Sequence, residues 1–122
     1  MQLGLIPLSN FGEILPNVYR SAQPMFGYQF AWLKKRLDLD TAINLRSEKN
    51  IDQRFCDKLG IKAITFAVKD HCPPTKDTAL EFMELIKKQD KPVLIHCEHG
   101  HGRTSTFSVL AKIARGYDVE QA

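Results

Sequence analysis

Residues 93–106 read V-L-I-H-C-E-H-G-H-G-R-T-S-T, and the fold follows from the points where this stretch changes character. Val93, Leu94 and Ile95 form an apolar run that reads as a buried strand stopping at His96. A loop then begins at Cys97, because Glu98 to Gly102 contain two glycines and no bulky apolar side chain. From Arg103 onward, Phe107, Leu110, Ala111 and Ala114 recur at helical spacing. A loop that feeds a helix N-terminus aims several unpaired backbone N–H groups at one spot, and the helix dipole adds partial positive charge there. The stretch therefore predicts an anion site with a cysteine at its base.

The residue types fit one reaction. The dipole and the nearby Arg103 favour thiolate over thiol at Cys97, which makes it a nucleophile. Arg103 offers a planar fork of donors that suits two oxygens of a phosphate, a geometry lysine lacks. Gly100 and Gly102 let the backbone turn its amides inward. The implied chemistry is attack of sulfur on phosphorus, giving a phosphocysteine while Arg103 and the loop amides hold the equatorial oxygens.

Working outward, the spacing predicts short strands through Val18 and Tyr19, over Thr41–Leu45 and over Lys62–Val68. Helices are predicted over 27–37, 51–59 and 75–89 and from 103 to 115, the first with Phe26, Phe30, Leu33 and Leu37 on its apolar face. Residues 1–13 read as an extended arm. Strands alternating with helices indicate an α/β fold with a mostly parallel central sheet flanked by helices. Asp70 leaves the third strand in the loop Lys69-Asp70-His71-Cys72-Pro73-Pro74-Thr75 and so comes to the same carboxyl edge of the sheet as Cys97. Expelling an alkoxide or phenoxide needs a proton donor, and Asp70 is the carboxyl group best placed to supply it. The plainer alternative is that Asp70 closes the turn or begins to cap the next helix.

The loop H-C-E-H-G-H-G-R-T resembles the H-C-x-x-G-x-x-R-[ST] signature of the cysteine-dependent protein tyrosine and dual-specificity phosphatases. The resemblance extends to N-V-Y-R-S-A-Q-P at residues 17–24, which is similar to the opening of small atypical dual-specificity phosphatases, and to D-H-C-P-P, which is close to their general-acid loop. It implies Cys97 as nucleophile, Arg103 as phosphate clamp, Asp70 as general acid and Thr104 as the hydroxyl that stabilises the thiolate. His96 would brace the loop, and Glu98, His99, Gly100, His101 and Gly102 would complete the phosphate cradle. Ser105 departs from the usual glycine, as in the similar H-C-E-x-G-x-G-R-T-T loop of cysteine phytases. Family members usually continue for one or two helices more, so the chain is expected to be a single phosphatase domain, 1–122, lacking its last C-terminal helices.

Length and composition bound the alternatives. A chain of 122 residues that is 43% hydrophobic can bury one core. A net charge of +3 fits an anionic substrate but is too weak and scattered to argue for nucleic acid. Three cysteines, Cys56, Cys72 and Cys97, give no disulfide framework, so a reducing, cytoplasmic location is expected, with Cys72 a candidate resolving thiol for Cys97. No run is long enough to span a membrane, and Pro7 makes the N-terminus a poor signal peptide. No cofactor is called for. Zinc is disfavoured although His71, His96, His99 and His101 lie near Cys97, because no second cysteine is closely paired and a metal would quench the thiolate. A phosphorylated protein or a small phosphomonoester is the predicted partner of a monomeric enzyme. An inositol-phosphate or phosphoinositide phosphatase of the same fold, and a domain that binds phosphate groups without turnover, are the alternatives.

Overall fold

The structure is a computed structural model that describes residues 8–46, 52–69, 71–97 and 102–118. Its elements in chain order are β1 (Gly12–Leu15), β2 (Val18–Ala22), α1 (Gly27–Leu37), β3 (Thr41–Arg46), α2 (Asp52–Leu59), β4 (Lys62–Val68), α3 (Lys76–Lys88), β5 (Val93–Cys97) and α4 (Gly102–Ala114). The sheet has the order β1-β2-β5-β3-β4. All neighbours are parallel except β1, which pairs antiparallel with β2. The strand β5, which ends on Cys97, thus lies in the middle. This is the α/β architecture expected from the alternating pattern.

Burial follows strand position. Every residue of β3 and β5 is buried, as continuous apolar runs covered on both faces should be. Ile43, Leu45, Val93, Ile95 and Cys97 pack with Phe82 and Ile86 of α3 and Phe107 and Ala111 of α4. The intervening Ala42 and Leu94 pack with Phe30 and Leu33 of α1 and Cys56 of α2. Two cores, one per face, therefore hold the sheet as the middle of three layers. Cys56 is a packing residue in the second core.

Several sequence expectations are corrected in detail. The segment around Ile14 forms β1, a short strand whose pairing is interrupted between Glu13 and Leu15, too brief and irregular for its alternation to register in the sequence. Phe26 does not share the apolar face of α1. It is the N-cap, with extended φ −126° and ψ 151°, and it is exposed. On α3, Leu80 is exposed, and Phe82 and Ile86 take the buried positions. The ladder also continues through Cys97, paired with Ala22, so the strand ends one residue later than the glycines suggest.

Candidate active site

Parallel pairing fixes what surrounds the cysteine. Ser21 aligns with His96 and Ala22 with Cys97, so the S-A-Q-P segment leaves β2 beside Cys97. On the other side Asn44 of β3 aligns with His96. His96 is fully buried between these strands, a position from which it can hold the base of the loop. All four parallel strands end at this edge, where clefts of open α/β sheets form.

The side chains of Cys97, Thr104 and Arg103 converge. Thr104 Oγ1 donates a hydrogen bond to Cys97 Sγ at 2.9 Å, and both residues are buried. Arg103 is 6% exposed, and its Nη1 donates to the backbone O of Val68 at 3.0 Å. That bond ties the first turn of α4 to the end of β4, the strand that leads into the Asp70 loop.

Arg46 is the residue that sequence reading missed. The strand expected over Thr41–Leu45 runs one residue further, so Arg46 closes β3, is 8% exposed and aligns with Val68. Asn44 Oδ1 accepts from the Arg46 N–H at 3.0 Å and fixes the strand end. Arg46 through its backbone register and Arg103 through its guanidinium therefore both border Val68 of β4. The sequence signal available was the unbroken strand pattern T-A-I-N-L-R, in which an arginine at the end must sit at the sheet edge.

The remaining expected residues divide. Asp70, Glu98, His99, Gly100 and His101 lie outside the described residues. Gly102 is the first residue of α4, is exposed, and has no described atom within 4 Å of a Cβ built there. Neither crowding by the described atoms nor a left-handed backbone calls for glycine there. In the acid loop, Cys72 is exposed and its N–H bonds Lys69 O at 3.0 Å, while Cys97 is buried; all three cysteines are free thiols. The N-cap of α3 is Thr75, whose Oγ1 accepts from the Thr78 N–H at 3.2 Å. Asp70 is therefore not needed as a cap.

Residues 5–115 match the model of the family described as Tyrosine phosphatase family. The chain belongs to that family. Among relatives of the tyrosine phosphatase family, it is 35% identical over 107 residues to the inositol diphosphatase DSP3 of Arabidopsis thaliana, covering 82% of this chain and 52% of that protein. It is 26% identical over 122 residues to the dual specificity protein phosphatase TpbA of Pseudomonas aeruginosa, covering 95% and 52%. The chain thus spans about half the length of these curated relatives. Its fold is that of the core catalytic domain of the PP-IP phosphatase SIW14 from S. cerevisiae, with a TM-score of 0.82, 23% identity and coverage of 97% of this chain and 74% of that one. Among the described residues, no helix is long and apolar enough to cross a membrane.

Proposed function

We propose that the chain is a phosphomonoester hydrolase that works through a phosphocysteine, acting as a protein tyrosine or dual-specificity phosphatase. The observation that carries this reading is the 2.9 Å hydrogen bond from Thr104 to Cys97 beside a buried Arg103. Sulfur attacks phosphorus, the P–O ester bond breaks, and the leaving oxygen takes a proton from Asp70. Water then attacks the phosphocysteine, with the Asp70 carboxylate accepting its proton, and inorganic phosphate departs as the thiolate is restored. Arg103 and the backbone amides of 98–102 bind the equatorial oxygens throughout, with His96 bracing the strand end. The enzyme acts as a monomer in a reducing, cytoplasmic compartment, where the three free thiols persist. Hydrolysis of a simple aryl phosphate by the wild-type chain, and its loss in Cys97→Ser, tests the assignment; a Cys97→Ser variant with undiminished turnover contradicts it.

Inositol phosphates are the second reading, favoured by the 35% identity to a relative named for inositol diphosphatase activity. A side-by-side panel of phosphotyrosyl peptide, phosphoseryl peptide and inositol diphosphate separates the two, because one class should exceed the others in kcat/KM.

A further inference from the structure

The segment that leaves β2 beside Cys97 carries an aromatic surface that the chemistry above does not use. Among the described residues, the large exposed hydrophobics are Met25, Phe26, Tyr28, Leu80, Val109 and Tyr117, and half of them fall within four consecutive positions. Phe26 is 58% exposed and Tyr28 is 62% exposed, and their rings stack at 5.8 Å with planes 8° apart. The thirteen residues Ser21–Leu33 contain no charged side chain in a chain that is 25% charged. Clustered exposed apolar groups of this kind mark interaction sites.

The cluster is held rigidly and close to the site. Gln29 Oε1 accepts from the backbone N–H of both Met25 and Phe26, the latter at 2.9 Å. The buried Gln23 donates to Pro24 O at 3.0 Å. Gly27 lies so near Phe55 that a Cβ would come within 3.2 Å of its ring. Phe26 is four positions along the chain from Ala22, the partner of Cys97, so its Cα is at most about 14 Å from that of Ala22. An extended polypeptide covers that span in roughly four residues.

We propose that Met25, Phe26 and Tyr28 form a preorganised docking rim for an apolar or aromatic residue flanking the phosphorylated side chain of a polypeptide substrate. This rests on the phosphatase reading and selects within it. A multiply phosphorylated small molecule would need cations here, and Ser21–Leu33 offers none. A peptide with an apolar flank gains burial of the rings at little ordering cost, since the rim is already fixed.

Binding to the Cys97→Ser protein, read by fluorescence anisotropy, tests the rim independently of turnover. Phosphopeptides with leucine or phenylalanine next to the phosphoresidue should bind more tightly than the same peptides with glutamate. Phe26→Ser/Tyr28→Ser should weaken the apolar-flank peptides roughly 5- to 30-fold, the range for truncating aromatic anchors, and leave inorganic phosphate binding within twofold. In the Cys97-containing protein, the double variant should hydrolyse a simple aryl phosphate at the wild-type rate, which also verifies folding, with Tyr28→Ser alone as the milder second variant. Equal weakening for apolar and acidic flanks, no weakening, tight binding of inositol diphosphate alone, or a wild-type dimer that the substitutions dissociate would each overturn the rim. Failure to hydrolyse any aryl phosphate would instead contradict the phosphatase reading.

Discussion

Thr104 Oγ1 stands 2.9 Å from Cys97 Sγ, with both side chains buried at the point where β5 gives way to α4. Because the donor sits on the helix and the acceptor on the strand, the bond fixes the nucleophile against the element that presents Arg103. Removing it should cost the stabilisation of an anion by one hydrogen bond, about 1.5–3 kcal/mol. Thr104→Val, which keeps the shape, should lower kcat roughly 10- to 100-fold. Slower alkylation of Cys97 by iodoacetamide should accompany the loss. Unchanged rates in both assays would make the contact incidental.

Arg103 has two duties in the geometry. Under the proposed function it binds phosphate, and its Nη1 donates to Val68 O at 3.0 Å. Arg103→Lys should reduce kcat/KM about 100-fold or more through loss of the bidentate fork, and weaken inhibition by inorganic phosphate in step. Arg103→Ala should in addition lower stability by about 1–3 kcal/mol, since Val68 O is left buried without this donor. A Lys variant with normal phosphate inhibition would contradict the clamp role.

The role of Asp70 is separable from a structural one by leaving group. Asp70→Asn should slow hydrolysis of a phenyl phosphate, which needs a proton on departure, roughly 100- to 10,000-fold. A nitrophenyl phosphate should lose far less, and thermal stability should hold because α3 already has its cap at Thr75. A uniform loss across leaving groups, tracking a lower melting temperature, would return Asp70 to the role of a turn residue.

Reading the sequence yielded the parts of the molecule whose periodicity is strong. The central strands β3, β4 and β5, the four helices and the Cys97–Arg103 loop are all visible as apolar runs, i/i+4 spacing and glycines. What escaped depends on contacts between distant segments. β1 exists only because β2 offers an edge to pair with. The burial of Arg46 depends on its register with Val68, which no local pattern encodes. Phe26 looked like the first residue of an apolar helical face, but one residue of phase turns it into an exposed cap. The convergence of Thr104 on Cys97 was implied by family resemblance alone, since two residues seven apart meet only when strand and helix fold back together.

The edge of the sheet opposite the active site has its own electrostatic latch. Burial pushes the Asp40 carboxyl up, but hydrogen bonds from Thr41 and Gln89, with Lys62 and Lys91 nearby, outweigh it and hold the group below its ordinary value. A carboxyl lowered by folding adds stability above its unfolded pKa and loses it as pH falls through the folded one. Asp40→Ala should therefore cost about 1 kcal/mol at neutral pH, and the gap to wild type should narrow on acidification below the usual carboxylate range. Activity at neutral pH and moderate temperature should be unaffected. A gap that stays constant with pH would rule out the ionised carboxylate as its source.

The central claim is that Cys97 carries the phosphoryl group during turnover. The direct measurement is rapid acid quenching of the wild-type protein during steady-state hydrolysis of an aryl phosphate, followed by mass spectrometry of the peptide that contains residue 97. The account predicts a phosphate adduct on Cys97 that appears with substrate, decays as substrate is exhausted, and is absent from Cys97→Ser. Sustained turnover with no adduct on that peptide, or with the adduct on another residue, would contradict it.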